Sequence, residues 1–401
     1  MALSVGMAVL VTLGGARPAE AQETRAGAIE ERIAEKAQQL EPYRPGTLER
    51  AMLFIEENTL IPRLTGTPEG WYPRLGGLTT GSGFAVGPGY RRYFGRDGVF
   101  DVSAAVSLRA YRAAEADVRF PSFAGERLAP EMGVRYLHYP QERFFGLGPS
   151  SRPSDRVSYS FEDVTMMGGL VLWPTSPLRG GVRIGHTAPL VAEGAGHFPS
   201  IEAVFSPLTT PGLADQPEYL YAEGYVELDY RDFPGNPRRG GYHRLTASTY
   251  RDRDVGRYSF RRLDAEAMQL FPFFDQRRVI AVRALAAMTD ADAGHDVPFF
   301  LMPYVGGPET LRGFRERRFT DRNLLLLNAE YRYEIFAALD MALFVDAGTV
   351  APRIDDVSLG RLKTDYGVGF RFSTRANLFL RFDIGLGGEG TTYFLKFGPA
   401  F

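Results

Sequence analysis

The chain has 401 residues, a formal net charge of -2 and no cysteine. Without cysteine there is no disulfide framework and no thiolate metal site. A near-neutral balance gives no electrostatic case for nucleic-acid binding. Tyrosine (20) and phenylalanine (29) are abundant while tryptophan is scarce (2), and glycine is frequent (45). The length suits two or three soluble domains or one large barrel.

The N-terminus, "MALSVGMAVLVTLGGARPAEAQ", has a short apolar core from Leu3 to Leu13 and a small-x-small site at Ala19-Glu20-Ala21. This pattern predicts a secretory signal peptide over residues 1–21, cut before Gln22, although no Lys or Arg precedes the apolar core. No later run of about 18 apolar residues could form a membrane-spanning helix.

Residues 22–70 carry helical signals. Ile29, Ile33, Ala37 and Leu40 form a stripe, and Thr47 is placed to cap a second amphipathic segment, with Glu49 in its first turn. Pro42, Pro45 and Pro62 punctuate the pieces. The segment reads as a periplasmic helical arm, or as a helix that docks on or plugs the remainder of the chain.

From Trp71 the period changes to two. In "YLYAEGYVELDYR", Leu220, Ala222, Gly224, Val226, Leu228 and Tyr230 take one face; Tyr221, Glu223, Tyr225, Glu227, Asp229 and Arg231 take the other. "DYGVGFRF" and "NLFLRFDIGLG" alternate the same way, opposing Asp365, Arg371, Arg381 and Asp383 to apolar neighbours. A soluble barrel and a membrane barrel share this alternation but invert its direction. Strand length, charges of both signs on one face, aromatics near strand ends and the export signal favour lipid outside. Sixteen patterned runs extend from "GSGFAVG" to "TTYFLKFGPAF", with "FFLMPYV" the eleventh. They predict an all-β fold: a 16-stranded antiparallel transmembrane β-barrel over residues 71–401. The last run places Tyr393, Leu395, Phe397 and Phe401 on one face, a C-terminal barrel signal, while Gly398 and Pro399 interrupt its ladder.

Catalytic patterns are lacking. His138, His186, His197, His243 and His295 show no Ser-His or metal-ligand spacing, and "GPSSRPSD" has no nucleophile-elbow context. The expectation is a non-enzyme with no metal and no cofactor.

The least ordinary piece is "GGPETLRGFRERRFTDRN", Gly306 to Asn323, too charged for a strand and too glycine-broken for a helix. Leu311-Arg312-Gly313-Phe314 after a Gly pair, the strand "FVDAG" with Phe344, Asp346 and Gly348, and the hairpin "YRDFPGNPRRGGY" occur in an order that resembles the BamA/TamA-like outer-membrane assembly and translocation superfamily (bacterial surface antigen barrels). The resemblance implies that the Arg312 loop folds back into the lumen and pairs with acidic residues on the following strands. Alternation independently aims Glu330 and Asp346 inward. The resemblance further implies that the barrel assists insertion or translocation of proteins, or of lipid, at the outer membrane of a diderm bacterium. The alternative is a structural or pore-forming barrel with no insertase activity. Partners expected are outer-membrane lipid, client outer-membrane or secreted proteins and, because residues 22–70 are too short for the family's POTRA modules, a separate POTRA-bearing or chaperone-like periplasmic protein.

Overall fold

The computed structural model describes residues 69–336, 338–373 and 378–396, together with Gly27, Glu30 and Arg32. The chain divides into two compact units, Met1–Ala51 and Met52–Phe401. In the first, Gly27, Glu30 and Arg32 are helical. The signal sequence, the Ile29–Leu40 stripe, the Thr47 segment, Phe397, Gly398, Pro399 and Phe401 lie outside the described residues.

The second unit is built from strands β1 (Gly70–Gly76), β2 (Ala85–Phe94), β3 (Gly98–Ser107), β4 (Arg112–Arg119), β5 (Leu128–Phe144), β6 (Val157–Thr175), β7 (Leu178–Thr187), β8 (Leu190–Glu193), β9 (Tyr219–Asp229) and β10 (Gly240–Asp252). It continues with β11 (Phe260–Phe273), β12 (Arg278–Ala291), β13 (Tyr304–Val305), β14 (Phe319–Thr320), β15 (Asn323–Phe336), β16 (Leu339–Ala351), β17 (Lys363–Ser373), β18 (Leu378–Gly387) and β19 (Gly390–Lys396). All pairings between these strands are antiparallel. Each wall strand pairs with the next, β7 pairs with β9, and β12 pairs with β15. The result is a nearly closed barrel of sixteen strands. The short β8 is an extra rung on β6, and β13 with β14 forms a separate two-stranded ladder. Among the described residues no ladder joins β1 to β19.

The direction of the alternation settles what surrounds the barrel. Val182, Ile184, Leu343, Val345, Tyr366, Tyr393 and Leu395 are exposed, while Glu227, Glu330, Asp346, Arg371, Arg381 and Asp383 are buried. Charges inside and large apolar residues outside would be insoluble in water and are what a bilayer requires. Exposed aromatics collect at the end of the barrel with the short turns: Trp71, Tyr93, Phe120, Tyr230, Phe274 and Tyr333. Arg278 lies over the rings of Phe274 and Tyr333, at 4.6 and 5.3 Å. Such a belt suits the headgroup level of a membrane. The opposite rim carries the long connections, including 188–218, 292–322 and 352–362.

Two strand assignments from the sequence need correction, and they cancel in the count. "FFLMPYV" is not a wall strand. Phe299–Leu301 is a 3-10 turn and only Tyr304–Val305 is extended. Phe299, Phe300, Met302 and Val305 are all buried, because the segment lies inside the wall, against Phe144, Val157 and Tyr159 among others. A run without alternation does not distinguish a wall strand from a buried one. Conversely, "GWYPRLG" is the first wall strand, β1, with Trp71 and Leu75 outward and Tyr72 bonded inward to Asp101 at 2.8 Å. Pro73 masks it in sequence, yet proline is tolerated on a strand at the seam.

Candidate functional site: the loop inside the barrel

The connection 292–322 between β12 and β15 turns into the barrel. Gly306 (φ 113°) and Gly307 (φ 101°) make the turn that side-chain-bearing residues resist. Gly306 N–H donates to Thr310 Oγ1 at 2.8 Å, and Gly307 N–H donates to the carbonyls of Leu311 and Phe314, both at 3.1 Å. This closes residues 307–314 into a compact tip. Leu311, Phe314 and Phe319 pack with Val305, Leu324, Leu326 and Val350, so the tip is held by apolar burial as well as by charge.

Arg312 stands at its centre, 1% exposed. Its Nε and Nη2 donate to the two carboxylate oxygens of Asp346, both at 2.8 Å, and its own backbone N–H adds a third bond to that group at 3.2 Å. Nη1 donates to Glu330. The guanidinium lies 3.6 Å from the Phe344 ring centroid. A planar fork serves two carboxylates and a ring face at once, which an ammonium cannot do. Burial pushes the Arg312 pKa down, but Asp346 and Glu330 more than offset this, so the charge is retained.

The partners are themselves shared. Glu330 also accepts from Arg332 Nε at 2.8 Å and Arg371 Nη2 at 2.9 Å. Arg371 Nη1 donates to Asp383 at 2.6 Å, and Asn328 Nδ2 reaches Asp346 at 2.8 Å. The hairpin 230–239 joins from the short-turn rim: Arg332 Nη1 donates to the Pro237 carbonyl at 3.0 Å, and Arg238 Nη2 to Asp340 at 2.9 Å. One continuous polar network thus runs through β15, β16, β17 and β18.

Gly313 serves close approach rather than turning. A Cβ there would lie 2.3 Å from Asp365 Cβ and 2.8 Å from Gly387 N. Across the contact, a Cβ on Gly385 would lie 2.2 Å from the Arg312 carbonyl oxygen. The loop backbone lies directly on the backbone of β18. A Cβ on Gly348 would lie 3.1 Å from the Leu325 carbonyl oxygen and from Leu326 Cδ1, and in ordinary contact with Leu311.

Three further contacts fasten the last strand to the loop. Thr392 Oγ1 donates to the Arg312 carbonyl, Lys396 Nζ to Glu309, and Arg318 Nε to Glu389 at 2.7 Å in the turn before β19. Sequence reasoning missed these residues. Inward parity of Thr392 and Lys396 was the available signal, but nothing in sequence says what an inward residue meets. Tyr393 and Leu395 of the C-terminal signal face outward, 65% and 63% exposed. Histidines take local roles: His295 Nδ1 accepts from Ser259 N–H at 3.1 Å, and His186 lies 3.1 Å from Glu218. Among the described residues no group of three His, Asp or Glu is placed to hold a metal.

A sixteen-strand transmembrane barrel with an arginine-tipped loop latched inside it defines a class of fold. Residues 216–397 match the family model described as the Omp85 superfamily domain, and the fold is that of a BamA-like barrel. Among solved structures it resembles BamA from Haemophilus ducreyi lacking POTRA domains 1–3, at 14% identity and a TM-score of 0.61, over 83% of this chain and 70% of that one. It also resembles CdiB from Escherichia coli, at 14% identity and a TM-score of 0.55, over 83% of this chain and 63% of that one. No curated protein matches the sequence.

Proposed function

We propose that this barrel assists insertion or translocation of proteins at the outer membrane of a diderm bacterium, without chemical catalysis. The observation that carries the reading is the asymmetry of the seam. β19 is fastened from inside by the loop through Thr392, Lys396 and Glu389, while no ladder joins it to β1 among the described residues. A last strand that is laddered to β18 on one edge only, and fastened from inside by side chains, can part from β1 at modest cost, because few backbone hydrogen bonds are lost at that edge. Arg312, Glu330 and Asp346 hold the loop against the wall while the seam works. Clients are outer-membrane or secreted proteins, met with the help of a separate periplasmic chaperone-like or POTRA-bearing partner.

Cysteine pairs introduced along β1 and β19 test this. In the oxidised, cross-linked form, client insertion in proteoliposomes should stop, and reduction should restore it. Full activity with the cross-link verified on a gel would overturn the proposal.

A pore without insertase activity is favoured by one feature, a lumen cavity of about 460 Å³ lined by residues including Glu115, Asp117, Arg135, Arg183 and Glu223. Planar-bilayer recording separates the readings: a pore gives a large, steady conductance, and a plugged translocator gives small, flickering events.

A further inference from the structure

A groove of about 910 Å³ lies on the lipid face of the wall, between mid-height and the long-loop rim. The strand register gives its shape. Val182, Gly224, Ala247, Leu263 and Met288 are successive cross-strand partners on β7, β9, β10, β11 and β12, and all line the groove. The row dips at Gly224 and Ala247 between larger neighbours. A Cβ on Gly224, at the middle of β9, would meet nothing within 4 Å, so the floor is open. One step toward the rim the row reads Ile184, Ala222, Thr249, Arg261 and Asp290. The floor stays small there while the far wall turns from apolar to charged. Arg353 and Asp355, in the connection after β16, line the same end. These charges have loose partners. Arg261 reaches Asp292 only at 3.8 Å, and that carboxylate already takes Arg251 at 3.0 Å. Arg353 lies 3.8 Å from Asp355, and both are well exposed. Among the described residues no cation pairs with Asp290, although it sits opposite Arg261 in the ladder.

We propose that this groove holds a phospholipid whose head carries both a phosphate and an ammonium. One acyl chain lies over Gly224 and Ala247, the phosphate meets Arg261 and Arg353, and the ammonium meets Asp290. The site is independent of the insertion reading and of the loop latch. The solvent on this face is lipid, so an open apolar groove is filled by acyl chain; left empty, its lining would forfeit dispersion contacts. The charges select the head. Two arginines alone would suit any phosphate through their guanidinium forks. The carboxylates of Asp290 and Asp355 beside them oppose a purely anionic head and favour a cation next to the phosphate. The order along the wall agrees, with the apolar floor at mid-wall and the charges at the rim, as tail and head are ordered in a leaflet.

The test reconstitutes the full-length barrel in nanodiscs of phosphatidylethanolamine and phosphatidylglycerol in equal parts. Retained lipid is counted by native mass spectrometry after release into detergent. Wild type should keep phosphatidylethanolamine over phosphatidylglycerol. Gly224→Leu fills the open floor and should lower that retention about tenfold, the worth of roughly two buried methylene groups. Arg261→Gln combined with Arg353→Gln should lower it severalfold. Asp290→Asn should remove the preference for phosphatidylethanolamine and leave phosphatidylglycerol unchanged. Ala267→Leu, exposed on β11 outside the groove, should change nothing. If Gly224→Leu fails to fold, by its heat-modifiable gel shift, Ala247→Leu on the neighbouring strand carries the test. Equal retention by wild type and the folded, groove-filled variant overturns the site. Retention of phosphatidylglycerol over phosphatidylethanolamine overturns the head group assigned to it.

Discussion

The two sides of this barrel use one sequence pattern for opposite ends. From β15 to β19 the inward charges are buried and joined: Arg312, Glu330, Asp346, Arg371 and Asp383 are nearly inaccessible and share ion pairs with one another. From β1 to β9 several inward charges line open space. The pair Arg183–Glu131 keeps 24% and 16% side-chain exposure, and Arg74–Glu115 keeps 26% and 34%. Alternation of polar and apolar residues is the same on both sides. What differs is whether the loop covers the charges. A covered pair carries a large penalty when broken, and a wet pair carries little.

The contrast can be broken most sharply at Arg312. Arg312→Ala leaves Glu330 and Asp346 buried without their main cation, and should cost about 3–5 kcal/mol. Thermal unfolding followed by gel heat-modifiability would show it, and an unchanged transition would remove the latch from the account. Next comes Gly385→Val, whose new Cβ would meet the Arg312 carbonyl at 2.2 Å. Forced to lift, the loop should lose about 1–3 kcal/mol, read as faster proteolysis between Gly306 and Asn323.

A third effect depends on pH. The Glu316 carboxyl, inside the loop, is pushed up to about 7, first by burial and then by Glu142, with Arg317 and Lys396 opposing. A carboxyl raised in the folded state contributes stability in full below its ordinary range. That contribution is lost as pH rises through about 7. Wild type should therefore weaken between pH 5 and pH 8 by up to about 2–3 kcal/mol relative to Glu316→Gln, measured by parallel thermal melts. The smallest effect belongs to the wet side. Arg183→Ala should cost under about 1 kcal/mol, and a loss as large as that of Arg312→Ala would erase the distinction between the two sides.

Much of the fold was legible because a membrane barrel repeats one simple rule. Alternation identifies the lipid face of β9, β17 and β18 residue by residue. It failed where the rule is suspended: at Phe299–Val305, apolar on all sides because it is inside, and at β1, where Pro73 interrupts an otherwise regular strand. For the candidate site, alternation suffices to aim Glu330 and Asp346 inward. It cannot say that Arg371 reaches Glu330 across the intervening β16, since that depends on the register of two successive ladders. Nor can it show that Gly313 and Gly385 are glycines for the same reason, because their close approach joins positions 72 residues apart in sequence.

The fastening of β19 also has a consequence for the order of folding. Thr392 meets Arg312 across 80 positions, and Lys396 meets Glu309 across 87. The tip's anchors on β15 and β16, at 18 and 34 positions, close much shorter spans. Short spans close first, because less chain entropy is spent on each. The loop should therefore seat on the earlier strands before the final strand arrives, and then serve as the template on which that strand is laid. Pulsed amide exchange during refolding would show it as protection of residues 306–314 ahead of 390–396. Simultaneous protection would mean that the strand and its template form together.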